Sequence, residues 1–498
     1  MKRSSWILGG LALFVACGGD KRDDEDGGSS LSTSLTAADT DPGVSSGMSQ
    51  GDDDDDGPRF DVGEGTNAGC GNVDIGCTDQ IDLLFVIDNS GTMADAQENL
   101  ARNFPLLIRQ LEDLRDANEE LVYPDVQIMV TTTDMDNPLC APWHAPDYTP
   151  AKGSPITDPC TNRLPRFTGL PTFWPGAVSK PEVCTDRCLN DVAPQGDPFI
   201  WFHGEHNNLP DVPPTDINGD GTPESVVAQA LSCIGPQGFD GCGFEKQLES
   251  MLQALNPNAS WNSGARPFLR PGALLAIVIV SDEVDCSVKD FSVMTDPDYQ
   301  NTNPNTGMKS ASSALCWNAG VDCAGPDANG VYSSCESNTT NGKLQPLTRY
   351  TDYLIKQLRE KEKKEVVMLG IWGVPEVTAY NDQPPFEPIA GGVHDLVYRN
   401  WRASDMYQEQ TDANVTAEWM QYDLGIGPGC QFEGSPDLPP LQAVPPVRMK
   451  EVCEALNIER QDGTVDVRCC IESICSEDFS NGIRCLTGAI SKSIVLPG

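Results

Sequence analysis

The fold is decided by residues 81–92, which read IDLLFVIDNSGT. The first seven residues are almost all apolar and β-favouring, a pattern typical of a strand buried on both faces of a parallel sheet. The run ends at Asp88, and Ser90 and Thr92 follow at alternate positions. In open α/β sheets, ligands bind just beyond the carboxyl ends of the strands. One carboxylate and two hydroxyls, without sulfur or imidazole, suit a hard divalent cation such as Mg²⁺ or Ca²⁺.

This Asp-x-Ser-x-Thr pattern after a hydrophobic strand resembles the metal-ion-dependent adhesion site of von Willebrand factor type A (VWA) domains. The alternative is a turn that only caps the next helix, since Asp, Ser and Thr also have that role. The resemblance implies an α/β fold with a doubly wound, mostly parallel, Rossmann-like sheet. It also implies a bound Mg²⁺, Ca²⁺ or Mn²⁺ ion and a protein ligand that offers an acidic side chain to the metal.

Other segments of the chain also favour an α/β fold. Apolar, β-favouring runs predict strands at residues 126–132, 199–202, 276–281 and 366–372. Apolar residues at helical spacing predict a helix after Thr92 and further helices at residues 225–233, 244–255, 347–364 and 479–494. Strand, helix and strand in close succession form the βαβ unit of a doubly wound sheet.

The strand predicted at residues 276–281 also ends in an acidic residue, Asp282. By resemblance, Asp282 is the second carboxylate on the metal side, contributed by the strand adjacent to the first. Type A domains place a Thr ligand in a third loop, but here the expected position is Gly243, with Glu245 and Asp240 as nearby oxygen donors. The metal-binding residues implied by the resemblance are therefore Asp88, Ser90, Thr92, Asp282, and Glu245 or Asp240.

A second metal candidate lies at residues 216–224, DINGDGTPE. Oxygen-bearing residues alternate, and a glycine stands where a tight calcium loop needs one. The candidate Ca²⁺ ligands are Asp216, Asn218, Asp220, Thr222 and Glu224. The twelfth loop position, where a full EF-hand has a bidentate Glu, is Val227, so the loop is partial and an unliganded Asx turn is the alternative.

Composition sets limits on compartment and partner. The chain has 498 residues and a net charge of −41, which argues against nucleic acid as a partner. Its 19 cysteines include no C-x-x-C spacing, so zinc ribbons and thioredoxin-type motifs are excluded and structural disulfides in an oxidising compartment are expected.

The N-terminus resembles a bacterial lipobox. A short basic start and a short apolar segment precede Cys17, with a small residue just before it and two glycines after it. This pattern implies cleavage before Cys17 and lipidation of that residue, while the alternative is an ordinary secretory signal. Removing Cys17 leaves 18 cysteines, an even number that can all pair.

The predicted organisation has three parts. Residues 1–16 are a signal peptide, residues 17–69 are the lipidated Cys and an acidic, Gly- and Ser-rich linker, and residues 70–498 are the VWA-like domain. Cys-rich insertions are predicted at about 135–224 and 286–345, and a Cys-rich extension at about 430–498. The whole resembles outer-membrane or surface lipoproteins of Gram-negative bacteria.

Three functional hypotheses follow. The first is a metal-dependent, adhesion-type protein-binding module with no catalytic residues, and the second is an envelope scaffold whose metal is purely structural. The third, a metal-dependent hydrolase, has less support, because His203-Gly-Glu205-His206 lacks the spacing of the helical H-E-x-x-H zinc site. No P-loop or dinucleotide-binding glycine motif is present.

We expect that replacing Cys17 with Ser will move the protein from the membrane fraction to the soluble envelope fraction, because the lipid is the predicted anchor. Fractionation followed by immunoblotting measures this shift, with Cys70→Ser as the matched control that keeps the anchor. A Cys17→Ser protein that still pellets with membranes would rule out the anchor assignment.

Overall fold

The computed structural model describes residues 79–115, 120–142, 144, 147–168, 179–401, 416–432 and 441–494. The predictions on the signal peptide, Cys17 and the acidic linker lie outside the described residues. No helix within the described ranges is long and apolar enough to cross a membrane.

The first part of the described chain contains five strands and four helices. In order they are β1 (Gln80–Ile87), α1 (Ala94–Glu112), β2 (Asp125–Thr132), α2 (Glu182–Thr185), β3 (Ile200–His203), β4 (His206–Asn207), α3 (Val226–Ile234), α4 (Gln247–Ala254) and β5 (Leu274–Val280).

The remainder begins with small elements of the second insertion. The elements described up to residue 391 are β6 (Asn301–Thr302), β7 (Lys309–Ser310), α5 (Ala314–Gly320), β8 (Val321–Ala324), β9 (Ser334–Ser337), α6 (Thr348–Thr351), β10 (Val366–Trp372), β11 (Val377–Tyr380) and β12 (Pro388–Gly391). Those described after it are α7 (Ala417–Leu424), β13 (Cys430–Phe432), β14 (Leu441–Ala443), α8 (Val447–Glu454), β15 (Ile458–Glu459), β16 (Val465–Asp466), β17 (Cys469–Ser473) and α9 (Ser480–Ser493). Helix α6 continues as a π-helical segment over Asp352–Lys361, and short 3₁₀ turns occur at Cys160–Phe167, Ser260–Asn262, Phe291–Thr295 and Gly392–Asp395.

Among the described residues, the central sheet has seven strands in the order β17-β10-β5-β1-β2-β3-β4. The first five in this order are parallel, and β3 and β4 extend the β2 edge as antiparallel strands. The predicted mostly parallel α/β architecture is therefore confirmed. β3 and β4 lie within the first insertion, so this insertion contributes two strands to the central sheet.

Helices cover both faces of this sheet, which explains why its strands are apolar on both sides. Alternate residues of β1 pack into two cores: Ile81, Leu83, Phe85 and Ile87 face α1, α3 and α9, whereas Leu84 and Val86 face α4, α6 and α8. The predicted apolar face of the C-terminal helix is buried in the first of these cores.

Disulfide bonds cross-link the two insertions and the C-terminal extension. The structure shows eight among the described residues: Cys140–Cys242, Cys160–Cys184, Cys188–Cys233, Cys286–Cys316, Cys323–Cys335, Cys430–Cys475, Cys453–Cys469 and Cys470–Cys485. Every cysteine in the described ranges is thus paired, which confirms the predicted disulfide framework there. Cys140–Cys242 spans 102 residues and joins the start of the first insertion to the loop before α4.

At the amino end of the parallel strands, the buried Asp82 carboxylate is neutralised by two cationic side chains. Arg270 donates to Asp82 from its backbone N (2.8 Å) and from Nε (2.7 Å), and Lys364 Nζ lies 3.1 Å away. Lys364 also donates to the carbonyl oxygens of Arg270 and Ala273. This cluster ties β1 to the segments that precede β5 and β10.

We expect that Asp82→Ala will lower the free energy of unfolding by about 3–5 kcal/mol, because it leaves Arg270 and Lys364 buried without their anion. Urea denaturation at pH 7 measures the loss. The matched control is Asp197→Ala, which removes a partly exposed partner of Arg266 and should cost less than about 1 kcal/mol. Equal losses in the two variants would contradict the structural role of Asp82.

Candidate metal centre

The candidate site lies where three neighbouring parallel strands end. The register pairs Ile87 at the end of β1 with Thr132 of β2 and with Val280 of β5. The chain passes from β1 to β2 on one side and from β5 to β10 on the other, so β1 and β5 flank a topological switch point. Asp88 and Asp282 follow these two strands, which confirms that their strands are adjacent.

Hydrogen bonds within the first loop fix the Asp88 carboxylate. Its Oδ1 accepts from the backbone N of Ser90 at 2.8 Å, and its Oδ2 accepts from Ser281 Oγ at 2.5 Å. The hydroxyl oxygens of Ser90 and Thr92 are 3.5 Å apart. Asp88, Ser90 and Thr92 are thus held in one turn, with both hydroxyls on the same side.

Gln97 on α1 joins this loop to the loop before α4. Its amide nitrogen donates to the carbonyls of Asp88 (2.8 Å) and Gly238 (2.7 Å), while its amide oxygen accepts from the backbone N of Gln237 and Gly238. The backbone N of Gly241 donates to the Asn89 carbonyl at 2.8 Å. A Cβ at Gly241 would lie 2.4 Å from the Asn89 side chain, so this contact between the loops requires glycine.

Glu245 joins the cluster through the same loop. The carbonyl of Glu245 accepts from the backbone N of Cys286, and the next residue, Lys246, donates its backbone N to the carbonyl of Thr133. The Glu245 carboxyl lies close enough to Asp88 for the two charges to interact. These contacts bring the loop before α4 against the ends of β1, β2 and β5.

Electrostatics at this edge are unfavourable for ionised carboxylates. Burial, followed by the charge of Asp88, raises the pKa of Asp282 to about 8. Burial, followed by the charges of Asp88 and Asp134, raises the pKa of Glu245 well above its usual range. Burial also raises the pKa values of Asp88 and Glu283, and neighbouring Asp282 and Asp88 add to the shift at Glu283. The cluster therefore favours either bound protons or a bound cation.

Other buried carboxylates in this protein are neutralised differently. Asp285 pairs with Arg448 at 2.9 Å, Glu365 pairs with Arg468 at 2.7 Å, and Asp82 pairs with Arg270. Within the described ranges, no Lys, Arg or His forms an ion pair with the carboxylates at the switch point, namely Asp88, Glu245, Asp282 and Glu283. Both carboxylate oxygens of Asp282 and of Glu245 are buried and accept no hydrogen bond of good geometry. Buried oxygens of this kind fit a divalent cation that accepts oxygen ligands.

The carboxylates alone do not form a complete metal site. In the part of the chain that the structure describes, no three His, Cys, Asp or Glu side chains are placed to hold one metal ion. Coordination at the switch point would therefore require the hydroxyl oxygens of Ser90 and Thr92 together with Asp88 and Asp282. Asp88, Ser90, Asp282 and Glu245 are at most 2% exposed, whereas Thr92 is exposed, so solvent reaches the site at Thr92.

Asp240 is placed differently from Glu245. Its side chain is buried, and its largest charge interactions are with Arg166, Asp147 and Arg163. Burial raises the pKa of Asp240 to about 6. The structure thus brings Glu245, rather than Asp240, to Asp88, and a Cβ at Gly243 would have only Ser313 Oγ nearby, at 3.9 Å.

The sequence interpretation missed several polar residues at this edge. Thr133 and Asp134 follow β2, Ser281 precedes Asp282, and Glu283 follows it. Asp134 accepts a 2.6 Å hydrogen bond from Tyr148 Oη, which in turn accepts one from Asn89 at 2.9 Å. The position of Thr133 and Asp134 directly after a predicted strand is the signal that could have revealed them.

The remaining sequence candidates lie elsewhere. His203 and His206 face each other across the β3–β4 hairpin and are exposed, as is Glu205. The 216–224 loop lies immediately before α3 and is held by its own hydrogen bonds. No family model, curated protein or solved structure matches this chain.

Without added metal, the free energy of unfolding is expected to fall as pH rises from about 4 to about 8. The pKa of Asp282 is about 8 in the folded chain, against an ordinary value of 3.8, so across this window the folded state retains a proton that the unfolded state has lost. The state that binds more protons loses stability as pH rises. Urea denaturation in EDTA at several pH values measures this slope.

Asp282→Asn provides the control for this pH dependence, because an amide cannot ionise at that position. The variant should show a shallower decline in stability between pH 5 and pH 8. Saturating metal should also reduce the decline in the parent protein, since the ion binds the deprotonated carboxylate. An unchanged slope in Asp282→Asn would show that Asp282 is not the group responsible.

Proposed function

We propose that this chain is a VWA-like, divalent-metal-dependent protein-binding module of the bacterial cell envelope, anchored through lipid on Cys17. The observation that carries the proposal is the set of buried carboxylates at the switch point that have no cationic side chain as a partner. Elsewhere, Asp82, Asp285 and Glu365 are paired with Lys or Arg. A bound metal ion would supply the missing positive charge.

The chain's own groups support Mg²⁺, Mn²⁺ or Ca²⁺ at this position. Asp88 and Asp282 would contribute carboxylate oxygens, and Ser90 and Thr92 would contribute hydroxyls, a set typical of hard cations, with the Glu245 carboxyl beside them. When bound, such an ion acts as a Lewis acid that can accept a further oxygen ligand. The exposed side of the site at Thr92 is where an acidic side chain of a partner would approach.

We propose binding rather than catalysis, because the Ser90 hydroxyl contacts Thr92 and the Ser281 hydroxyl donates to Asp88. Ser90 therefore has no general base as a partner, and Ser281, although it is bonded to a carboxylate, is 1% exposed and out of reach of a substrate. The polar groups of the site thus position the carboxylates.

A second candidate is a purely structural metal that holds three loops together. The deep burial of Asp88, Ser90, Asp282 and Glu245 favours it, because most of the coordination sphere lies away from solvent. A carboxylate at Glu245, in place of the family's Thr, would also neutralise more of the metal charge and weaken attraction of an acidic partner. Both candidates share the same metal ligands and differ in whether a partner completes the site.

We expect that Asp88→Ala will abolish the rise in melting temperature that Mg²⁺ or Mn²⁺ produces in the parent protein. The ion binds the folded state and stabilises it by mass action, and Asp88 is the carboxylate at the centre of the site. Differential scanning calorimetry with and without metal measures the increment. Asp220→Asn, in the distant 216–224 loop, is the matched control and should keep the full increment.

The same variants separate the two candidate functions. Pull-down from envelope and extracellular fractions, with and without EDTA, should recover a partner from the parent and from Asp220→Asn only in the presence of metal. Asp88→Ala should recover none. Metal stabilisation without any EDTA-sensitive partner would favour the structural candidate, and full metal stabilisation of Asp88→Ala would reject both.

A further inference from the structure

A groove lies at the amino end of the central sheet, at the other end of the strands from the switch-point centre. It consists of two neighbouring cavities of about 530 Å³ and 330 Å³, both of which are lined by Ala265 and Arg266. The smaller cavity reaches Gln80 and Asp125, the first residues of β1 and β2. Both volumes fall within the range of about 300–1,000 Å³ that is usual for small-molecule sites.

Two contacts hold the Arg266 side chain in a fixed position in this groove. Its Nη1 donates to Asp197 Oδ2 at 3.1 Å, and its guanidinium lies over the ring of Trp201, 4.3 Å from the centroid. The side chains of Arg266 and Asp197 are 41% and 30% exposed, so their ion pair adds little to stability. A guanidinium that is ordered in advance does, however, reduce the entropy cost of binding a ligand.

This ion pair leaves most of its hydrogen-bonding capacity unused. An Arg side chain has five N–H donors, and a carboxylate has two acceptor oxygens. In the part of the chain that the structure describes, the bond between Nη1 and Oδ2 is the only hydrogen bond that either side chain makes. The other N–H groups of Arg266 and the Oδ1 of Asp197 therefore lie side by side. Two adjacent hydroxyl groups, each of which donates and accepts, match this arrangement of donors and acceptor.

Two tryptophans give the groove flat apolar walls. Trp261 Nε1 donates to the carbonyl of Ala254 at 2.8 Å, and Trp201 Nε1 donates to Asp125 Oδ1 at 2.7 Å. Each indole N–H is thus satisfied within the protein, and the partly buried ring of Trp261 lines the larger cavity. A pyranose ring has an apolar face of C–H groups and an edge of hydroxyls, so it can contact a large aromatic ring while its hydroxyls reach polar groups.

We propose that this groove binds a neutral oligosaccharide, with adjacent hydroxyls on Asp197 and Arg266 and one ring face against Trp261. A charged ligand fits less well, because the charges in the groove are already balanced: Asp197 pairs with Arg266, and Asp125 pairs with Arg270. The site goes beyond the proposed function, since it shares no residue with the switch-point centre and requires no metal.

Calorimetric titration of the full chain with maltohexaose, cellohexaose and chitohexaose tests the proposal. At least one of these sugars should bind saturably. Asp197→Ala should weaken that binding about tenfold or more, because a hydrogen bond to a charged group is lost. The matched control is Asp296→Ala, which removes the partly exposed partner of Lys343 in the second insertion and should leave the affinity unchanged.

Substitutions of Ala265 test whether the ligand crosses between the two cavities. Ala265→Trp should abolish binding by filling the space, whereas Ala265→Ser should bind like the parent. Ala265 is exposed, so neither change disturbs the core, and circular dichroism monitors folding.

Three results would overturn the proposal. The first is that none of the three sugars binds, and the second is that Asp197→Ala or Ala265→Trp binds as tightly as Asp296→Ala. The third is that decaproline binds and the sugars do not, because grooves lined by aromatic rings also take polyproline II segments.

Discussion

The burial of several carboxylates close together, at the edge of the sheet where the parallel strands end, is the constraint on which the loops at that edge depend. Asp88, Glu245, Asp282 and Glu283 come from three separate segments; burial raises the pKa of each, and the charge of Asp88 adds to the rise at the other three. Hydrogen bonds from Ser281 and from the backbone of Ser90 offset part of the burial cost at Asp88. The remaining cost must be offset by other contacts of the same loops. Gln97 bonds to the carbonyls of Asp88 and Gly238, and the Cys140–Cys242 disulfide fixes the loop before α4.

Near the start of β1 lies a second buried carboxylate, Asp82, whose charge is balanced by side chains of the protein itself. There Asp82 has two cationic partners and a backbone donor, which offset part of the burial that raises its pKa. Near its start, β1 thus carries an acid paired with cations, and just past its end comes an acid that accepts hydrogen bonds but has no cationic partner. This difference between Asp82 and Asp88 is the reason for assigning a structural role to the first and a ligand-binding role to the second.

Much of the central sheet could be predicted, because strands buried on both faces are uninterrupted apolar runs. β1, β2, β5 and β10 are such runs, and the residues that follow them revealed Asp88 and Asp282. β17 was missed because its five residues, CCIES, include a glutamate whose burial depends on a hydrogen bond from the distant Tyr380. A pairing of that kind cannot be inferred from the local sequence.

The third loop of the site was only partly predictable for a related reason. Glu245 and Asp240 are both acidic and close in sequence, and nothing local indicates which of them faces Asp88. Tertiary contacts determine which of the two acids lies beside Asp88, because Asp240 interacts instead with Arg163 and Arg166 of the first insertion. The helix predicted from residue 244 begins only at Gln247, because the preceding residues make backbone contacts with Asn89 and Thr133.

The strand order has a consequence for how this chain folds. β1 lies at the centre of the sheet, yet Ile81 pairs with Val126 on one side and with Leu274 on the other. The second partner is far along the chain, so a large loop must close before the β1–β5 pair can form. Such high contact order makes folding slow and exposes apolar strand edges meanwhile. During synthesis, β1 would remain unpaired on its β5 side until residue 274 has emerged, so its apolar edge is exposed over that interval.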